Sequence, residues 1–190
     1  MQSESFGLVG NNVYLDERAI FFQRDKICLE DNVSIGMFAT LNARPKVKKS
    51  VPEREGIVIR RNSRISPYSI LESLGGFISI GEDCSIKEFC LLYGTGGINI
   101  GNLVRIGPRT SIVAENHIAE NLDLPIYLQG MSYRGITISD DVWIGVHCII
   151  LDGVKIGKGC IIGAGSVVTK SIADYSVVTG NPARIIRQRK

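Results

Sequence analysis

Residues 138–168 read ISDDVW IGVHCI ILDGVK IGKGCI IGAGSV V, so that Ile138, Ile144, Ile150, Ile156, Ile162 and Val168 recur at a step of six. Glycine follows the aliphatic residue in three of the five hexads. The fifth position of each hexad is small or β-branched: Val142, Cys148, Val154, Cys160 and Ser166. A helix returns its apolar face at three, four and seven residues and cannot use a period of six. Six is even, so in extended chain every aliphatic residue falls on the same face. A repeat this short predicts stacked coils of a parallel β-helix.

The same step extends toward the N-terminus. Ile100, Ile106 and Ile112 keep it, with Val104, Thr110 and Asn116 at the fifth positions. Before them come Ile80, Ile86 and Leu92 with Cys84 and Cys90, then Ile59, Ile65 and Leu71 with Ser63 and Ser69. The weakest set is Leu29, Ile35 and Leu41, with Val33 and Ala39. Three hexads per turn make a triangular coil, and the sets predict about six coils over residues 29–168. Residues 1–28 are expected to cap the first coil, with short strands near Val13–Leu15 and Phe21–Phe22. Residues 169–190 form a tail that leaves the register near Asp174, turns at Gly180, Asn181 and Pro182, and is expected to end in a short helix carrying Ile185 and Ile186 inward.

The coils are separated by insertions that a solenoid absorbs at its corners, because a surface loop costs little closure entropy. Twelve extra residues lie between Leu41 and Ile59, and twenty between Ile112 and Ile138. Loops this long in a compact domain usually carry function. The longer one is expected to form a loop over residues 117–137.

At 190 residues, 44% hydrophobic and 22% charged, the chain fits one all-β domain spanning 1–190 with an ordinary core. The first twenty residues lack a basic stretch followed by an apolar one, and no apolar run approaches a membrane span. A cytoplasmic protein with no transmembrane segment and no nucleic-acid partner is expected. Five cysteines occur without a CxxC pair, and four of them fill fifth positions, where a small apolar thiol suits a crowded corner. Reduced structural cysteines are therefore expected, with no metal. Eight basic and two acidic residues lie between Arg44 and Arg64, although the whole chain is only +3. The default reading is a solvated loop, and a weaker one is attraction for an acidic acceptor such as a pyrophosphate-linked sugar.

The run ITISDDVWIGVHCIILDGVKIGKGCIIGAGSVVTKSIADYSVVTGNPARIIR resembles the left-handed β-helix, hexapeptide-repeat acyltransferases. Within that group it is similar to the maltose and galactoside acetyltransferases and to bacterial polysaccharide O-acetyltransferases. The segment ENH, then LPIYLQG and the return to ITI, looks like the polysaccharide enzymes in particular. The resemblance covers residues 100–190 and thins toward the N-terminus. It implies left-handed winding, a homotrimer with active sites between subunits, and acetyl-CoA as acyl donor along the coil edges.

Acyl transfer to a hydroxyl needs a base for the proton and donors aimed at the developing oxyanion. Histidine suits the first task, and the chain has His117 and His147. His117 stands at the root of the long loop, where the family's catalytic histidine occupies the corresponding place. His147, fourth in its hexad, reads as structural or cleft-lining. Glu115 lies two residues before His117, a spacing that allows an acidic partner to orient the imidazole. With Asn116 it is expected to line the cleft. Trp143, the only tryptophan, stands outward beside Ile144 and, by the resemblance, beside the active cleft. Oxyanion donors are expected among backbone N–H groups at coil corners, with Gly145 as the candidate contact. The resemblance implies that Ala164, Thr169 and Lys170 line the pantetheine arm and phosphates of the cofactor, and that Arg184 and Arg187 lie near its adenosine end.

The expected activity is acetyl-CoA-dependent O-acetylation of a small-molecule or lipid-linked sugar in surface polysaccharide synthesis. N-acetylation of a nucleotide-linked amino sugar, antibiotic acetylation and a non-catalytic β-helix scaffold are the alternatives. A γ-class carbonic anhydrase needs three histidine ligands, and two histidines cannot supply them.

Overall fold

The computed structural model describes residues 5–44 and 55–190. It shows three parallel sheets wound as one coil, with one strand per turn in each sheet. The first sheet runs from Leu8–Val9 to Lys155–Ile156, the second from Tyr14–Leu15 to Ser176–Thr179, with Arg184–Gln188 added antiparallel at its edge, and the third from Ile20–Phe22 to Val167–Val168. The hexad residues stack on one another in register: Ile86, Ile106, Ile144 and Ile162 form one column, and Leu92, Ile112, Ile150 and Val168 another. Both columns are buried, no member being more than 1% exposed. This is the expected parallel β-helix, and the period of six places a residue of each column on every turn. Truncating Ile106 to Ala, in the middle of its column, is expected to lower unfolding free energy by about 2–5 kcal/mol. A urea midpoint unchanged from the parent protein would contradict close packing there.

Two further hexad positions have structural explanations. The fourth position turns the corner with positive φ, as at Asn62 (59°), Asp83 (53°) and Asp141 (57°). Asn and Asp adopt this left-handed conformation more readily than most residues. The fifth position is small because it faces the interior corner, and where it is polar it binds backbone. Ser63 Oγ donates to the Gly81 carbonyl at 2.7 Å, and Cys84 Sγ to the Gly101 carbonyl at 3.1 Å. Cys90 and Cys148 donate in the same way to the Gly107 and Gly163 carbonyls, both at 3.2 Å. The cysteines thus act as serine-like donors as well as small apolar groups, and burial pushes the Cys90 thiol up to about 11.

Two expectations are corrected. Among the described residues the coil has seven turns in its first and third sheets rather than about six. The added turn comes from the segment read as a cap, since Leu8–Val9, Tyr14–Leu15 and Ile20–Phe22 pair in parallel with Cys28–Leu29, Ser34–Ile35 and Thr40–Asn42. The tail does not end in a helix. After a turn at Gly180 (φ 102°), Arg184–Gln188 runs as a strand antiparallel to Ser176–Thr179. That strand covers an otherwise open sheet edge, and its β-branched pair suits the extended form. Ile185 and Ile186 remain 55% and 60% exposed rather than turning inward.

Of the basic segment 44–64, residues 45–54 lie outside the described residues, as do residues 1–4 of the N-terminal segment. The insertion at 117–137 forms a projecting arm: Asn116–His117 pairs antiparallel with Met131–Ser132, and a short 3₁₀ turn at Ile126–Leu128 closes it. The Gln129 amide braces the tip by donating to the Asn121 and Leu124 carbonyls at 2.7 and 2.8 Å.

Candidate active site

The arm leaves the coil after the third-sheet strand Ser111–Val113 and returns to the first-sheet strand Ile136–Ile138. His117 therefore stands at the corner between those two sheets, exposed, with its backbone paired to Met131. Among the described residues no side chain hydrogen-bonds its imidazole. The Glu115 carboxylate, expected to orient that ring, instead accepts the Thr95 hydroxyl at 2.7 Å and ties the arm's root to the preceding coil. Asn116 is exposed beside it.

The return limb is held by a residue that the repeat did not single out. Asp152 has a side chain only 1% exposed. Its carboxylate accepts from the Ser132 hydroxyl at 3.0 Å, the Arg134 N–H at 2.9 Å and the Gly135 N–H at 2.8 Å. Ser132 is the backbone partner of Asn116, so this buried carboxylate sets the register of the pair that carries His117. The visible signal was an acid in the tight LDGV corner, but its partners lie 17–20 residues away.

A groove of about 460 Å³ runs along the outer face of the second sheet and brings Trp143, Gly145 and Ala164 together with Gly107 and Val146. Trp143 is 58% exposed at its edge. Gly145 does not present a free donor as expected, because its N–H binds the Ile162 carbonyl at 2.8 Å within the ladder. Its glycine is required for another reason: a Cβ there would lie 2.7 Å from the Ala164 nitrogen. The same relation holds one coil earlier, where a Cβ on Gly107 would lie 2.7 Å from the Val146 nitrogen. Among the described residues nothing accepts from the Val146 or Ala164 N–H. The two glycines thus keep two unpaired backbone donors uncovered in the groove. His147, in the left-handed conformation at φ 55°, shapes the adjoining corner.

The remaining cofactor candidates lie elsewhere. Lys170 and Arg184 line a second hollow of about 370 Å³ at the C-terminal end of the coil. Thr169 is exposed next to Lys170. Arg187 is exposed on the last strand with its guanidinium on the Gln188 carbonyl at 3.2 Å. No residue of the arm lines the groove, since the two occupy different faces of the prism. Among the described residues no group of three or more His, Cys, Asp or Glu side chains converges to hold a metal, and no helix is long and apolar enough to cross a membrane.

Comparison with known proteins gives one family match and several relatives. Residues 135–170 match the model described as bacterial transferase hexapeptide (six repeats). The galactoside O-acetyltransferase of Escherichia coli is 32% identical over 73% of this chain and 70% of its own length. A Mycobacterium tuberculosis protein named as an acetyltransferase is 29% identical over 74% of this chain, which spans only 47% of that protein's length. Among solved structures, the N-acyltransferase AntD of Bacillus cereus, in complex with dTDP and coenzyme A, superposes with a TM-score of 0.67. It shares 27% identity, over 97% of this chain and 85% of that one.

Proposed function

The chain belongs to the hexapeptide-repeat transferase family, and from that premise we propose that it is an acetyl-CoA-dependent O-acetyltransferase acting on a sugar hydroxyl in surface polysaccharide synthesis. The observation that carries the reading is the groove itself: a tryptophan edge beside two N–H donors, of Val146 and Ala164, kept open by Gly107 and Gly145. Such donors suit the amide carbonyls of a pantetheine arm or the thioester oxygen. The coenzyme A bound by AntD supports the same reading.

Acetyl-CoA, when bound, supplies the acyl carbon that is attacked and the thiol that leaves. His117 takes the proton from the acceptor hydroxyl as its oxygen bonds to that carbon, and returns the proton to the departing sulfur as the C–S bond breaks. The Ala164 and Val146 N–H groups bind the cofactor and stabilise charge on the carbonyl oxygen. Lys170 and Arg184, with Thr169 and Arg187 beside them, are assigned to the phosphate and adenosine end. Trp143, Glu115 and Asn116 wall the acceptor side.

Because the arm and the groove are on different faces, the reading requires a second copy: His117 of one subunit completes the groove of the next in a homotrimer. The arm supports this with exposed Leu122 (96%), Tyr127 (77%), Leu128 (57%) and Ile126 (55%), an apolar surface that a neighbour would cover. We place the enzyme in the cytoplasm, where acetyl-CoA is made.

A second reading, transfer to an amine, is favoured by the N-acyltransferase activity named for AntD. Incubation with acetyl-CoA and paired hydroxyl and amino sugars, followed by free CoA thiol, separates the two. Release with hydroxyl sugars is expected. Release only with amines would replace O- by N-acetylation. Saturating acetyl-CoA, at about 100 times its Kd, should also stabilise the fold by about 2.7 kcal/mol, and a melting temperature indifferent to it would favour a scaffold.

A further inference from the structure

Next to the groove, toward the N-terminal coils, the second sheet carries cations with no acidic partner. Ser85 is stacked in register between Arg64 and Arg105, and Lys87 follows it on the same outward side. Neighbouring strands lie about 4.8 Å apart, so the two arginines flank the short serine from about 10 Å apart and leave a notch over its hydroxyl. That notch is a hollow of about 380 Å³ lined by Arg64, Ser85, Lys87, Arg105, Asn62 and Asp83. Ser85, Lys87 and Arg105 line the groove as well, so the two spaces are continuous.

The charge there is not balanced. Arg60 and Arg61, on the same turn, pair with Glu30 and Glu82. Among the described residues no ion pair takes Arg64, Lys87 or Arg105, and Asp83 is the one acid lining the notch. Arg105 is held in place by the Asp83 and Val104 carbonyls, the latter at 3.2 Å, so its guanidinium is fixed before any ligand arrives. Three cations, a hydroxyl and an amide around one hollow form a site for an anion with several oxygens.

We infer that this notch binds the phosphate of the acceptor, which is therefore a sugar carrying a phosphate or diphosphate on its anomeric oxygen rather than a neutral sugar. The inference rests on the groove being the transfer site. Ser85 lies two strands from Trp143, about 10 Å along the sheet, room for one sugar ring between its phosphate and the reacting hydroxyl. The donor's phosphates have their own cations, Lys170 and Arg184, beyond the opposite end of the groove. Among the described residues of the segment 44–64, Arg64 is the cation that lines this site.

Two measurements test it on the intact protein and on the double variant Arg64→Gln/Lys87→Gln, which leaves the carbonyl-bound Arg105 in place. In the first, inorganic pyrophosphate is titrated calorimetrically with and without saturating CoA. Binding that survives CoA and weakens about tenfold or more in the variant is expected. No binding, or binding unaffected by the substitutions, would overturn the site, and binding abolished by CoA would assign the cations to the donor. In the second, KM is compared for one hexose, its 1-phosphate and its nucleoside-diphosphate derivative. The phosphorylated forms should have KM about tenfold lower or better, an advantage that salt and the variant remove while KM for acetyl-CoA stays unchanged. Equal KM for the free and phosphorylated sugars would overturn the inference. Pyrophosphate binding of the expected kind with no transfer to any sugar would keep the anion site and remove the proposed activity.

Discussion

Replacing His117 by alanine is expected to lower kcat by about 10²–10⁴-fold, the contribution of the positioned general base proposed above. Because His117 is exposed and no side chain among the described residues bonds its ring, the substitution leaves the melting temperature within about a degree of the parent. The proposed donor contacts are on another face, so KM for acetyl-CoA and its calorimetric affinity are expected to stay the same. Steady-state kinetics and a melting curve on one preparation check both halves. Near-full turnover in the variant would remove the base assignment, whereas lost cofactor binding would move His117 into the donor site. The intersubunit reading adds a complementation result. Mixing H117A chains with chains whose groove is blocked by Gly145→Val should restore part of the activity, since one interface then holds both an intact His117 and an intact groove. The valine would meet the Ala164 nitrogen, which lies 2.7 Å from even a Cβ.

Asp152→Ala is expected to be the most damaging single change outside the core. It strips the acceptor from two backbone N–H groups and a hydroxyl at a side chain that is 1% exposed. The donors are only part-buried, so water can take up some of them, and a total loss of about 1–3 kcal/mol is expected in chemical denaturation. The kinetic effect is separable. The clamp sets the register of Ser132 opposite Asn116, next to His117, so kcat falls while KM for acetyl-CoA does not. Asp152→Asn keeps one carbonyl oxygen for the paired N–H groups and presents an amide to the Ser132 hydroxyl. It should recover most of the stability and much of kcat. If the asparagine and alanine variants fall equally, or if KM for acetyl-CoA rises with the stability loss, the residue serves the coil alone and not the arm.

Much of the candidate site was legible because the repeat itself announces where it breaks. The break after Ile112 located the arm, and His117 stood at its root. Trp143 and Gly145 lie on one turn and Ala164 on the next, and the stacking of the coil brings the three into one groove. Gly145 shows the limit of that reading. A glycine at a corner signals close approach, but whether its own N–H is free depends on the next coil, where the Ile162 carbonyl already takes it. The free donor belongs to Ala164, which the repeat pattern alone does not mark and only the resemblance pointed to. Arg64, Lys87 and Arg105 likewise lie on three different turns and converge only after stacking.

By itself the sequence determined the period, the core and the corners. These depend on which way a side chain points within six residues, and that is set by local backbone geometry. The tertiary structure decided what meets across turns: the strand that replaces the expected C-terminal helix, the clamp from Asp152 to the arm, and the separation of His117 from the groove. Each of these joins residues from different turns or places them on different faces. Their pairing is fixed by the lengths of the insertions and by the backbone groups left open at a sheet edge, neither of which a repeating pattern encodes.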